Sequence, residues 1–194
     1  MKIEEKLSLA LIIGIILLVL IGIPVLMFMF TYNDLVSKEE AIKKQWGNVE
    51  SSYQRRFDLI PNLEATVKAY ASHEKEILNE FAKARQMQAQ ATTIDDKVRA
   101  ANQLESSLSK LMMVVENYPQ IKADANFREM MAELSGTENR INVERNRYNE
   151  AAANYMSTKR SFPASIIANM FNFKDYEYFK AQNEEAKNAP KVFQ

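Results

Sequence analysis

His73 is the single histidine of the 194-residue chain, and there is no cysteine. These two counts bound the metal and nucleophile chemistry. Disulfides, thiolate metal sites, a cysteine nucleophile and a lipidated N-terminal cysteine are all excluded. A di-iron carboxylate site inside a helical bundle needs two Glu-x-x-His motifs and further carboxylates. Three residues before His73 stands Tyr70, so that reading fails, and His73 is read as a surface or helix-end residue. No Gly-x-Ser-x-Gly elbow, phosphate-cradling glycine loop or His-Glu-x-x-His string is present. A Ser–Lys pair is not legible from spacing. Glu138 and Glu144 are six apart and do not share a helix face, so joint acid–base work would need another helix to bring them together. The expectation is a protein that is not an enzyme, with no metal and no cofactor. With 25 basic and 25 acidic side chains the net charge is zero, which leaves no electrostatic footprint for a nucleic acid.

The residues with most to offer are Arg55 and Arg56, followed by Asp58 and Pro61. Arg56 falls at a core-phase position, where an unpaired charge is costly, so a carboxylate partner is expected. Glu144 and Glu138 are the two candidates. An ion pair fixing helix register, or capping the break at 58–61, is the favoured role. An anion or lipid-headgroup site and a partner-binding surface are the alternatives.

The elements that position these residues are helical. Residues 31–194 hold only two glycines, Gly47 and Gly136, and are rich in good helix formers. Leu35, Ile42, Val49, Arg56, Leu63, Tyr70, Ile77 and Ala84 recur every seven residues. Glu39, Trp46, Tyr53, Ile60, Val67, Glu74 and Phe81 interleave with them, the spacing of a bundle or coiled-coil stripe. Trp46 is expected to be buried. Pro61 interrupts the stripe: the unbroken phase favours a kink, whereas comparable segment lengths favour a turn. Thr93 and Asp96 have the spacing of a capping box, and Asp124 is a plausible N-cap. Phe127, Leu134, Ile141, Tyr148, Tyr155 and Phe162 form a further seven-residue series. Beyond Pro163, Ile166, Ile167, Phe171 and Phe173 belong to a short apolar helix. It either covers the bundle end or binds a partner, and its lack of a basic face favours a protein over lipid.

Leu7–Phe30 is uncharged, with Ser8 its one polar side chain. As a helix its 24 residues rise about 36 Å, enough to cross a hydrocarbon core of about 30 Å. The run is long for a signal peptide and ends without small residues at a cleavage site, so an uncleaved anchor is expected. Lys2 and Lys6 stand closer to the span than Lys38, Lys43 and Lys44. This favours a cytoplasmic N-terminus and an extracytoplasmic bundle.

Taken together, several strings carry a resemblance: Tyr32-Asn33-Asp34-Leu35-Val36, then Arg55-Arg56-Phe57-Asp58-Leu59-Ile60-Pro61-Asn62-Leu63. They are followed by Val67-Lys68-Ala69-Tyr70-Ala71-Ser72-His73-Glu74, Glu116-Asn117-Tyr118-Pro119, Thr137-Glu138-Asn139-Arg140-Ile141 and Arg147-Tyr148-Asn149-Glu150. In this order, from about residue 31 to 193, the chain resembles the LemA family of bacterial membrane-anchored proteins. Glu64 and Met156 depart from the usual pattern. The resemblance implies one N-terminal transmembrane helix, an elongated four-helix bundle, a turn at Pro61 and a place in the bacterial inner membrane. It carries no catalytic assignment.

The expected organisation is thus all-α: a flank at 1–6, an anchor at 7–30, and an up-down four-helix bundle at 31–162. The bundle helices fall at about 31–59, 61–90, 95–117 and 125–160. A short apolar helix and polar tail occupy 163–194. The expected role is a scaffold or interaction protein. Its partners are the lipid bilayer through residues 7–30, an unidentified membrane or membrane-associated protein, and a second copy of the chain. The alternatives are an accessory or regulatory subunit of a membrane enzyme such as a protease, and a helical-bundle enzyme of unrecognised type.

Overall fold

The computed structural model describes the backbone of residues 2–179 and the side chains of residues 11–179. Met1 and the polar tail at 180–194 lie outside the described residues. Among those described, every regular element is a helix: α1 (Lys2–Asp58), α2 (Ile60–Tyr70), α3 (Lys75–Gln90), α4 (Ile94–Val115), α5 (Pro119–Ala123), α6 (Ala125–Arg160) and α7 (Ala164–Met170). One helix, α1, is long and apolar enough to cross a membrane. Its most apolar window has a mean hydropathy of 3.1, and none of that window is buried by protein. Pro24 lies inside it without ending it. The chain divides into two compact units, Trp46–Asn146, and Met1–Gln45 with Arg147–Gln194.

In the unit Trp46–Asn146, one apolar core joins several helices. Phe57 of α1, Ile60, Leu63 and Val67 of α2, and Ile77, Phe81 and Ala84 of α3 are buried together. Leu104, Leu108 and Leu111 of α4, Ile121 of α5, and Phe127 and Leu134 of α6 complete the set. Ile60, Leu63 and Val67, Ile77, Phe81 and Ala84, and Leu104, Leu108 and Leu111 recur at spacings of three and four, one stripe per helix.

The structure corrects the expected turn at Pro61. Leu59, the one residue between α1 and α2, keeps right-handed helical dihedrals of −77° and −22°. The Leu63 N–H donates to the Leu59 carbonyl at 3.2 Å, carrying the ladder across the break. A residue in that conformation does not reverse the chain. Pro61 sits in the first turn of α2, where its missing N–H is tolerated. The reversal comes at Ala71–Glu74, so the expected helix 61–90 is two helices. There the Ala71 N–H closes α2 on the Val67 carbonyl at 2.8 Å. The Tyr118 hydroxyl donates to Glu74 at 2.7 Å, tying this turn to the one before α5.

α4 opens on a reciprocal capping box. The Asp96 N–H donates to the Thr93 hydroxyl oxygen at 3.1 Å, and the Thr93 N–H donates to the Asp96 carboxylate at 3.2 Å. Asp124 caps α6 by accepting from the Phe127 N–H at 3.0 Å.

Three apolar or aromatic stripe positions depart from burial. Tyr70 is 45 % exposed, its hydroxyl donating to Asp124 at 2.9 Å. Trp46 is half-buried, edge-on to Tyr53 with ring centroids 6.4 Å apart. Phe162 is 80 % exposed because α6 ends at Arg160, two residues short of it.

In the other unit, Leu35 and Ile42 of α1 and Tyr148, Ala152 and Tyr155 of α6 are buried. The chain after α7 runs without regular structure to Phe179 and is fastened side by side to these helices. The Tyr155 hydroxyl donates to the Lys174 carbonyl at 3.0 Å, and the Tyr176 hydroxyl donates to Glu39 at 3.0 Å. The Asn149 amide holds the main chain of Phe179 with two hydrogen bonds, 2.8 Å and 3.0 Å. Lys159 pairs with Asp175 at 2.7 Å.

Candidate functional site

In the unit Trp46–Asn146, a buried arginine, Arg56, meets carboxylates from two other helices. α1 carries Arg56 at a stripe position, so the helix turns it inward, and its side chain is 9 % exposed. Nη1 donates to Oε2 of Glu138 on α6. Nη2 lies 2.5 Å from Oε2 of Glu105 on α4, too poorly aligned for a hydrogen bond. The buried Nε has no hydrogen-bond partner. Both carboxylates face water in part, at 29 % and 38 % exposure, so the arginine is buried while its counter-charges remain partly hydrated. That arrangement lowers the desolvation cost of the pair.

Glu138 also accepts from the Asn142 amide at 3.2 Å. Close by, Arg145 donates to the Tyr53 hydroxyl through Nε at 3.1 Å and Nη2 at 2.9 Å. Its guanidinium carbon lies 5.5 Å from the Tyr53 ring centroid. Burial pushes the Tyr53 hydroxyl above its ordinary range, and the Arg145 cation pulls partly the other way.

The structure brings Arg56 and Glu138 together. Glu144 stands half-buried on α6. Arg55 is exposed and pairs with Glu133 at 2.8 Å, and Asp58 accepts from Gln54 at 2.7 Å. Sequence reasoning missed Glu105, Tyr53 and Arg145. Glu105 follows Leu104 on the flank of an apolar stripe, and nothing local marks it as a partner for α1.

Chemically, the cluster can hold helices in register. Among the described residues, no group of three or more His, Cys, Asp or Glu stands close enough to share a metal ion. The clefts are open grooves. One of about 580 Å³ is lined by Gln54, Asp58, Pro61, Arg85 and Gln88. Another, of about 590 Å³ in the other unit, is lined by Lys38, Ala41, Glu150, Asn154 and Thr158.

The second constellation belongs to the unit that holds α7. Ile167 is buried, whereas Ile166 and Phe171 are 58 % and 48 % exposed and Phe173 is half-buried. Phe171 packs on Phe28 and Tyr32 of α1, with centroids 5.8 Å and 5.0 Å apart, and Phe173 packs on Tyr32 at 5.8 Å. The expected cover role fits Ile167, and the exposed residues are left over.

Comparison with known proteins yields a family and relatives. The model of the LemA family matches residues 45–193. The magnetosome protein MamQ of Magnetospirillum gryphiswaldense is 26 % identical over 191 residues, covering 84 % of this chain and 70 % of that protein. A MamQ of Paramagnetospirillum magneticum is 27 % identical with the same coverage. Protein LemA of Metamycoplasma hominis is 23 % identical over 169 residues, covering 85 % of this chain and 76 % of that one.

Proposed function

The chain belongs to the LemA family, and from that premise we propose that it is a single-pass, membrane-anchored bundle with a non-catalytic scaffold or interaction role. The observation that carries this reading is the continuity of α1. The unburied apolar run and the buried residues Leu35 and Ile42 lie on the same helix, α1, within one compact unit of the chain. A helix of that kind transmits position from the membrane into the folded part, and confinement to a surface raises effective concentration toward other membrane proteins.

The bundle itself we read as four-helical within Trp46–Asn146, its first member being α1 continued by α2. Cross-helix pairs support up-down directions. Gln54 meets Gln88 and Glu64 meets Arg85, as antiparallel helices require. Glu50 pairs with Lys97 and Arg56 with Glu105, as parallel helices require. Arg55 and Arg56 reach Glu133 and Glu138, and Tyr53 reaches Arg145, again antiparallel. The membrane is read as the bacterial inner membrane, with the bundle extracytoplasmic.

The test is cross-linking in cells followed by mild-detergent purification of the full-length protein, with mass spectrometry and a size measurement. A scaffold yields a defined complex of constant stoichiometry. A chain that always emerges alone overturns the interaction role, and release by carbonate overturns the anchor.

A further inference from the structure

Within the unit that holds α7, three large apolar side chains point outward at four-residue spacing: Phe162 at 80 %, Ile166 at 58 % and Met170 at 60 % exposure. Ile166 and Met170, four apart within α7, share one side of that helix, and Phe162 precedes it in the turn at 161–163. The opposite side, Ala164, Ile167 and Ala168, is buried. α7 thus has a covered face and an apolar face that nothing among the described residues covers.

The position of that face says what covers it. Phe171, which follows α7, packs its ring on Phe28, with centroids 5.8 Å apart. Phe28 is two residues from the end of the uncharged run Leu7–Phe30. It also stacks at 6.4 Å on Tyr32, which meets both Phe171 and Phe173. Tyr32, an amphipathic ring at the end of an apolar span, is the residue type that gathers at a bilayer surface, and Phe28, Phe171 and Phe173 add apolar area beside it. Basic residues flank the helix: exposed Arg160 before it, exposed Lys174 after it, and Lys159 held by Asp175. Long basic side chains at such a level reach the headgroups while their neighbours sit among acyl chains.

We propose that α7 is a second membrane contact, lying in the bilayer interface with Phe162, Ile166 and Met170 against lipid, beside the emerging end of α1. The inference rests on the reading of Leu7–Phe30 as an anchor, because continuity with that span is what assigns the face to lipid. It replaces the sequence expectation of a protein partner. An interfacial helix of this kind buries its apolar face about 5–10 Å into the headgroup–acyl boundary. With α1 it gives the protein two points of contact and so fixes rotation about the anchor axis.

The absence of native cysteine makes the test direct. Single cysteines are placed in the full-length protein at exposed positions, as Ile166→Cys, Met170→Cys, Leu17→Cys and Ala153→Cys. Each is labelled with an environment-sensitive fluorophore, and the protein is reconstituted into vesicles of phosphatidylcholine and phosphatidylglycerol. Nitroxides on shallow or deep lipid positions and a water-soluble quencher then read depth. The expected result is loss of emission at 166 and 170 with shallow nitroxides, at 17 with deep ones, and at 153 with the aqueous quencher alone. Quenching at 17 with water-like behaviour at 166 and 170 overturns the interfacial helix and leaves the anchor standing. Labels at 166 and 170 shielded from lipid and water alike also overturn it, because protein then covers the face. No lipid quenching at 17 removes the anchor and the inference with it.

Discussion

Arg56 on α1 and Glu138 on α6, 82 positions apart in the chain, form a charge pair whose arginine is buried and whose carboxylate is partly hydrated. The asymmetry sets the size of the expected effect. Breaking a fully buried pair costs about 3–5 kcal/mol and an exposed one about 0–1, so Arg56→Ala should cost about 2 kcal/mol. Much of the carboxylate desolvation is already avoided at 29 % and 38 % exposure. If the role is register, Arg56→Met combined with Glu138→Gln and Glu105→Gln should recover most of the loss. Melts of the full-length protein in detergent, followed by circular dichroism, check both. An unchanged melt for Arg56→Ala with a lost cross-linked partner assigns the arginine to an interaction surface instead.

The seven-residue series made the core legible because a buried stripe on a bundle helix must repeat at that spacing. Leu35, Ile42, Val49, Leu63, Ile77 and Ala84 are all buried. The same regularity concealed the reversal. Leu63 and Ile77, fourteen positions apart in one series, are buried on either side of it, so the phase runs through the turn as if the helix were unbroken. Pro61 drew the expectation because it is the local breaker, yet its position in a helix first turn is permissive. Arg56 was legible as a buried charge and Glu138 as a partner. Glu105 was not, because its place follows from the register between α1 and α4, which no local pattern encodes. The fastening of residues 171–179 depends on scattered hydrogen bonds, one ion pair and ring contacts without periodicity.

The capping box at α4 gives an acid-side prediction. The hydroxyl of Thr93 and then the guanidinium of Arg99 hold the Asp96 carboxyl at about 2, below its ordinary 3.8. A lowered carboxylate stabilises the fold fully above its unfolded value. Its contribution is lost as pH falls from about 3.8 through about 2. The protein and an Asp96→Asn variant should therefore differ in melting temperature at neutral pH and converge at the acid end. Thr93→Ala should cost about 1 kcal/mol at neutral pH, the usual loss for an N-cap.

Alkali should act on the segment that follows α7. Burial, then the charges of Glu39 and Asp175, push the Tyr155 hydroxyl up to about 12 from its ordinary 10.0. Burial and the bond to Glu39 push Tyr176 up as well. A raised phenol contributes stability that is complete below the unfolded value of 10.0 and is lost as pH rises through about 12. A tyrosinate absorbance titration should show late-ionising tyrosines in the native protein. Tyr155→Phe and Tyr176→Phe should each remove one late increment, and loss of the fastening of residues 171–179 should accompany the last of them.

The helical break at Leu59 and the reversal at Ala71–Glu74 are distinguished by inserting one glycine at each place. A residue added to a helix rotates everything after it by about 100°. Inserted after Leu59, it turns Ile60, Leu63 and Val67 away from the core they share with Phe57, all of them at most 5 % exposed. Displacing buried residues of that size costs about 2–5 kcal/mol each, more than a marginal domain can lose. Inserted after Ser72, the glycine lies beside exposed His73 in a segment without helical hydrogen bonding. Lengthening a short turn by one residue costs well under about 1 kcal/mol in closure entropy. The expected outcome is a large loss of melting temperature for the first insertion and a small one for the second. Were Pro61 the reversing turn, the order would invert, since a loop there would absorb the extra residue and a continuous helix at 71–74 would not.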